Sequence, residues 1–135
     1  MTRKLIMILL PLVIYAFQQA PVIGEPWKAP KEADALVDPL AKDPKAVAKG
    51  KKIFESLCWP CHGMSGKGDG PTASALTVQP ADLGSKVVQA QSNGALYWKL
   101  TNGRGEMASY EQVISREQRW AAVHYIRTLG PTTPK

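Results

Sequence analysis

Cys58-Trp59-Pro60-Cys61-His62 is the stretch on which the reading of the whole chain turns. Its two cysteines are the only ones in 135 residues. Two thiols separated by two residues and followed at once by an imidazole make C-x-x-C-H, the pattern of covalent c-type haem attachment. The spacing follows from the chemistry. Two thiols add to vinyl groups on neighbouring pyrrole rings, and the next residue projects its imidazole beneath the iron. Other readings of the same residues are weaker. A thioredoxin-like dithiol also uses C-x-x-C, but it belongs in a βαβ setting that this chain lacks. Zinc would need Cys58, Cys61 and one of only two histidines. His62 follows Cys61 directly, which makes shared tetrahedral coordination awkward. A disulfide across so short a loop stabilises little. The expectation is one haem c, held by Cys58 and Cys61, with His62 as the proximal axial ligand.

Outward from the motif the chain reads as helices joined by long loops. Upstream, Asp43-Pro44 combines a favoured N-cap with a favoured first helical residue, so a helix is expected to start there. Val47, Gly50, Phe54 and Leu57 follow at spacings of three and four, giving one apolar stripe. Gly50 costs such a helix up to about 1 kcal/mol relative to alanine, and close approach by another helix would compensate. Downstream, residues 63–91 carry Gly63, Gly66, Gly68, Gly70, Pro71, Pro80 and Gly84 and read mostly as loop. A short helix is expected from Ser92 or Asn93 to Thr101, stopped by Asn102-Gly103. A second loop runs over residues 103–114. In the last helix Ser115 and Gln118 form a capping box, Ala122, Val123, Ile126 and Leu129 make the apolar face, and Gly130-Pro131 ends the element. No window alternates as a strand would. The fold class is therefore all-α: three to four helices with long loops around one covalent haem, over residues 43–130.

A chain that is 44% hydrophobic and 21% charged is globular in composition and too short for more than one substantial domain. A core of about 90 residues is marginal without a staple, and a covalent cofactor supplies one. Neither G-x-G-x-x-G nor G-x-x-x-x-G-K-[ST] occurs, which excludes the common nucleotide-binding loops. The formal charge is +6. Much of the excess is a lysine series without interleaved aromatics, so no nucleic-acid partner is expected. Lys45, Lys49 and Lys52 form a basic stripe, read as a solvated helix face or a docking patch for an acidic partner. Residues 1–20 pair a positive start at Arg3 and Lys4 with an apolar run over 5–17. At 1.5 Å per residue that run spans roughly 20 Å, short of the ~30 Å hydrocarbon core. This is a signal peptide, or an N-terminal membrane anchor if uncleaved. Residues 21–42, with Pro21, Pro26, Pro30 and Pro39, read as a Pro-rich linker or an arm lying over the domain, with Trp27 packed against it. Residues 131–135 are a tail. The protein is expected outside the cytoplasm, in a bacterial periplasm or on the periplasmic face of the membrane.

The chain resembles the small class I c-type cytochromes of bacteria. The resemblance rests on Gly50 and Phe54, the motif with Gly63, and Gly66-Lys67-Gly68-Asp69-Gly70-Pro71. It extends through Pro80-Ala81-Asp82-Leu83, Gly105-Glu106-Met107-Ala108-Ser109-Tyr110 and residues 120–127. In that family the first and last helices cross tightly, which implies Gly50 against Tyr125. Met107 is the candidate distal ligand, because its loop resembles the family's distal-methionine loop, with Ala108 where many members have proline. Met64 is tethered two residues past His62 and belongs to the proximal side. His124 reads as a surface or satisfied residue. The family supports its histidine with a proline carbonyl, for which Pro71 and Pro80 both qualify. Trp98, Arg104 and Tyr97 are candidates beside the propionates. Met/His ligation would close both axial sites. The resemblance thus implies a one-electron carrier, not an enzyme, between exported or membrane-bound partners such as a quinol-oxidising complex, a terminal oxidase or a reductase. Membrane contact is expected only through an uncleaved leader or a membrane-bound partner. Two alternatives stand beside it: a permanent haem subunit of a membrane oxidoreductase, and a haem enzyme or sensor if Met107 does not bind iron.

Overall fold

The structure, a computed structural model, describes residues 26–131. The expected leader, residues 1–20, and residues 132–135 of the tail lie outside the described residues.

The first helical stretch runs through the motif. Asp43 accepts the Lys45 N–H on its carboxylate at 2.8 Å and the Ala46 N–H on its carbonyl at 3.1 Å. This turn precedes α1, Ala46–Ile53, so the helix proper begins two to three residues later than Asp43-Pro44 suggested. A π turn over Phe54–Cys58 then leads into α2, Trp59–His62. Of the expected stripe, Gly50 and Phe54 are buried and Leu57 is half-buried, while at its start Ala46 is buried in place of the exposed Val47. Residues 63–91 are mostly loop, as their glycines require, but include a 3₁₀ turn at Ala73–Ala75 and the short α3, Lys86–Gln89. Helix α4, Asn93–Asn102, is capped by the Ser92 side chain and ends at Gly103. Helix α5, Arg116–Thr128, has both halves of the Ser115–Gln118 capping box.

The core forms where α1 and α5 cross. Phe54, Trp120 and Val123 are fully enclosed. The Phe54 and Tyr125 rings lie 5.1 Å apart, and Tyr97 of α4 stacks on Trp120 at 4.2 Å. Gly50 explains the closeness. A Cβ there would stand 1.9 Å from the Ala121 carbonyl oxygen and 2.9 Å from Tyr125 Cβ, so the contact is first with the α5 backbone and only then with Tyr125.

The described part of the 21–42 segment lies over the domain as an arm. Its 3₁₀ turn, Lys31–Ala35, packs on α4 at Gly94, where a Cβ would come within 1.9 Å of the Ala33 carbonyl oxygen. The Ser92 hydroxyl donates to the Asp34 carboxylate, and Leu40 is buried. Trp27 meets Trp98 edge-on, with centroids 6.4 Å apart. Among the described residues no strand forms, only the single bridge between Arg104 and Met107. No described helix is long and apolar enough to cross a membrane.

Candidate functional site

The end of α1–α2, the α4–α5 connection and the loop after α2 converge on one cavity of ≈ 380 Å³. Cys58, Cys61, His62 and Met107 all border it, against a wall made by Leu57, Leu76, Leu83, Leu100 and Ile126. Burial pushes the Cys58 thiol up to about 12, with a smaller contribution from Cys61. Cys61 Sγ lies 3.2 Å from the Thr72 hydroxyl, which itself donates to the Pro60 carbonyl at 2.7 Å.

His62 is fixed from behind. Its Nδ1 lies 3.0 Å from the Ala81 carbonyl oxygen, an arrangement that leaves Nε2 available to a metal. Burial lowers the His62 pKa, and the bond to Ala81 opposes part of that shift. The ring is therefore favoured neutral, the form that binds metals. The supporting carbonyl belongs to neither expected proline. The Pro80 carbonyl oxygen instead faces Gly68, where a Cβ would be 2.1 Å away. The chain direction thus presents the next carbonyl, that of Ala81, to the ring.

Met107 is half-buried on the loop between α4 and α5. The Arg104 N–H donates to the Met107 carbonyl at 2.8 Å and the Met107 N–H returns to Arg104 at 3.1 Å. This closes a tight turn through Gly105 and Glu106. The Tyr110 N–H donates to the Leu100 carbonyl at 2.9 Å, and the Tyr110 hydroxyl to the Leu57 carbonyl at 3.3 Å. Burial raises the Tyr110 pKa, and the two cysteines add to the shift. Glu106 reaches across to the loop that carries Ala81, accepting the Thr77 N–H at 2.8 Å and the Val78 N–H at 3.3 Å.

The remaining candidates separate cleanly. Arg104 and Pro80 border the cavity, whereas Pro71 and Trp98 do not. Trp98 stands behind Trp27, which does border it. Tyr97 is in the core under Trp120, and its hydroxyl accepts from Arg119. Met64 is 58% exposed and away from the cavity. His124 Nε2 lies 2.9 Å from an Asp38 carboxylate oxygen on the arm. Of the lysine stripe, Lys49 is held by Asp43 at 3.1 Å and by Glu117 at 3.0 Å. Both bonds raise its pKa, Glu117 first. Reasoning from sequence missed Trp27, Glu106 and Ala81 as parts of the site. Trp27 was signalled as the one bulky side chain of the arm; the other two depend on contacts between distant loops.

Among the described residues no group of three or more His, Cys, Asp or Glu side chains is placed to hold a metal ion. The donors present fit a covalent haem instead: paired thiols, an imidazole with one nitrogen already engaged, a thioether and an apolar wall. An all-helical domain carrying C-x-x-C-H at the end of its first helix, beside such a cavity, defines a class I c-type cytochrome. Residues 45–126 match the family described as "Cytochrome C oxidase, cbb3-type, subunit III", and the chain belongs to that family. No curated protein sequence matches it. Among solved structures it is similar to a chain of the Kuenenia stuttgartiensis reducing HAO-like protein complex. Identity is 34% and the TM-score 0.62, over 69% of this chain and 47% of that one. The chain therefore spans about half that relative's length. The KustC0563 c-type cytochrome (22% identity, TM-score 0.51, 61% of this chain and 98% of that) shares the fold. So does cytochrome cL of Methylophaga aminisulfidivorans (18%, TM-score 0.53, 67% and 57%).

Proposed function

We propose that the protein is an exported carrier of single electrons, using one haem c attached through Cys58 and Cys61, with His62 and Met107 as its axial ligands. The observation that carries this reading is the meeting of those four side chains at one apolar cavity. When bound, the haem supplies a reversible Fe(II)/Fe(III) couple. The residues around it do the rest. The Ala81 carbonyl orients the His62 ring and favours its neutral form. The Arg104–Met107 turn holds the thioether at the cavity. The apolar wall excludes water, and a Met/His pair raises the potential relative to two nitrogen ligands. Were His62 and Met107 both to hold the iron, no coordination site would be open to substrate, and the haem would supply outer-sphere transfer of one electron.

The partners are exported or membrane-bound redox proteins, of the class of quinol-oxidising complexes, oxidases or reductases. A second reading, a resident subunit of a larger redox assembly, is supported by the 34% identity with a chain of the Kuenenia complex. The experiment is Met107→Ala on purified holoprotein. It is expected to abolish the sulfur-to-iron charge-transfer band at the red edge of the visible spectrum, lower the potential and admit cyanide. A variant that keeps the band and excludes cyanide would overturn Met107 ligation and, with it, the carrier reading.

A further inference from the structure

Arg119 is the buried charged side chain of the described core, 6% exposed on α5. Among the described residues no ion pair with a carboxylate reaches it, and its Nε has no hydrogen-bond partner. A cation in that position is costly unless something solvates it. Here the solvation comes from the second half of the Met107 loop and from Tyr97 of α4. Nη1 donates to the carbonyls of Tyr110 at 3.3 Å, Glu111 at 3.0 Å and Ile114 at 2.7 Å. Nη2 donates to the Tyr97 hydroxyl at 3.0 Å, and the guanidinium lies 5.3 Å from the Tyr97 ring centroid.

The dependence runs both ways. The loop's carbonyls make the buried charge tolerable, so a loop that lifts away strands a guanidinium in the core. Opening is thereby penalised by the group on which the loop rests. Tyr110 transmits this to the site. It gives its carbonyl to Arg119 and its hydroxyl to Leu57, next to Cys58, and it borders the same cavity as Met107 three residues upstream. The early half of the loop is tied independently to α4, through Tyr110 N–H to Leu100 and the Ser109 hydroxyl to Thr101. Arg119 ties the later half, residues 110–114, to α5 through its side chain.

We propose that Arg119 is a positioning residue for the Met107 loop, its uncompensated guanidinium latching residues 110–114 to α5 and so keeping the thioether at the cavity. The proposal rests on the reading of Met107 as an axial ligand. The test uses ferric holoprotein of the wild type, Arg119→Gln and Arg119→Lys, with two readouts. One is amide exchange of residues 105–114 compared with α1 and α5. The other is the charge-transfer band followed on heating beside the far-ultraviolet helix signal. In Arg119→Gln, loop exchange is expected to rise about tenfold or more, since bonds to a charged donor are among the stronger ones. The α1–α5 crossing keeps its protection, and the band disappears at a lower temperature than the helices. Arg119→Lys restores part of both.

Three results would overturn the latch: unchanged loop exchange, acceleration equal in loop and helices, or a band lost only as the helices melt. If Arg119→Gln does not accumulate, Tyr97→Phe removes a single acceptor of the guanidinium and is judged on the same comparisons. A wild type without the band would sink the Met107 reading instead, and loop exchange alone then decides whether Arg119 holds the loop.

Discussion

Replacing Gly50 with alanine drives a methyl group into the backbone of α5. The new Cβ would stand 1.9 Å from the Ala121 carbonyl oxygen and 2.6 Å from its carbon, where ordinary contact begins at 3.4 Å. The helices must part by about 1.5 Å, in an interior that does not deform freely. Overpacking costs about 1–3 kcal/mol, and more when the obstacle is backbone and not a side chain that can turn away. Alanine returns about 1 kcal/mol of helix propensity. With the overpacking cost at or just above the top of that range, about 3–4 kcal/mol, the net destabilisation is about 2–3 kcal/mol, which lowers the unfolding midpoint of a domain this size by roughly 10–20 °C. Thermal unfolding of the holoprotein, followed by circular dichroism, measures it. A Gly50→Ala protein as stable as the wild type, or more stable, would refute the argument. An exposed helix glycine behaves that way, and the crossing of α1 and α5 would then not be what places Cys58.

Cys58→Ala and Cys61→Ala are each expected to weaken haem retention and leave little holoprotein, and the double variant to hold no covalent haem; absorbance after denaturing electrophoresis reads this directly. Glu106→Gln weakens the two bonds from Thr77 and Val78. At an exposed site the cost is about 0.5–1 kcal/mol, seen as faster amide exchange at residues 76–78 with the core unchanged. Asp43 titrates below its ordinary 3.8, because the Lys45 N–H and then the Lys49 ammonium favour its charged form. Its contribution is therefore present above the unfolded pKa and lost as the pH falls through the folded one. A carboxyl titration by NMR that places Asp43 at or above 3.8 would contradict the turn geometry. Met64→Leu leaves the charge-transfer band in place, because this side chain is exposed and does not border the cavity.

What was legible in the sequence was short-range. The caps at Ser92 and Ser115 are contacts between residues three apart, so α4 and α5 were found nearly to the residue. C-x-x-C-H carries its own chemistry. Longer-range features escaped for physical reasons. The acceptor for His62 lies 19 residues away, and which carbonyl in Pro80-Ala81 faces the ring depends on how that loop packs on Gly68. The burial of Arg119 leaves no mark in the sequence, because hydrophobic periodicity cannot register a cation solvated by carbonyls. The arm's prolines suggested an extended segment lying on the domain or linking to it, and nothing in its composition shows that Trp27 reaches the cavity.

A covalently held haem underlies every role given to the site. The most direct measurement is the pyridine haemochrome of purified protein from its native host, taken after acid-organic extraction and quantified against protein. One c-type haem per chain remaining with the polypeptide is the result expected. Haem that extracts into the organic phase, or none at all, would contradict the roles given to Cys58 and Cys61 and leave the cavity without its assigned occupant.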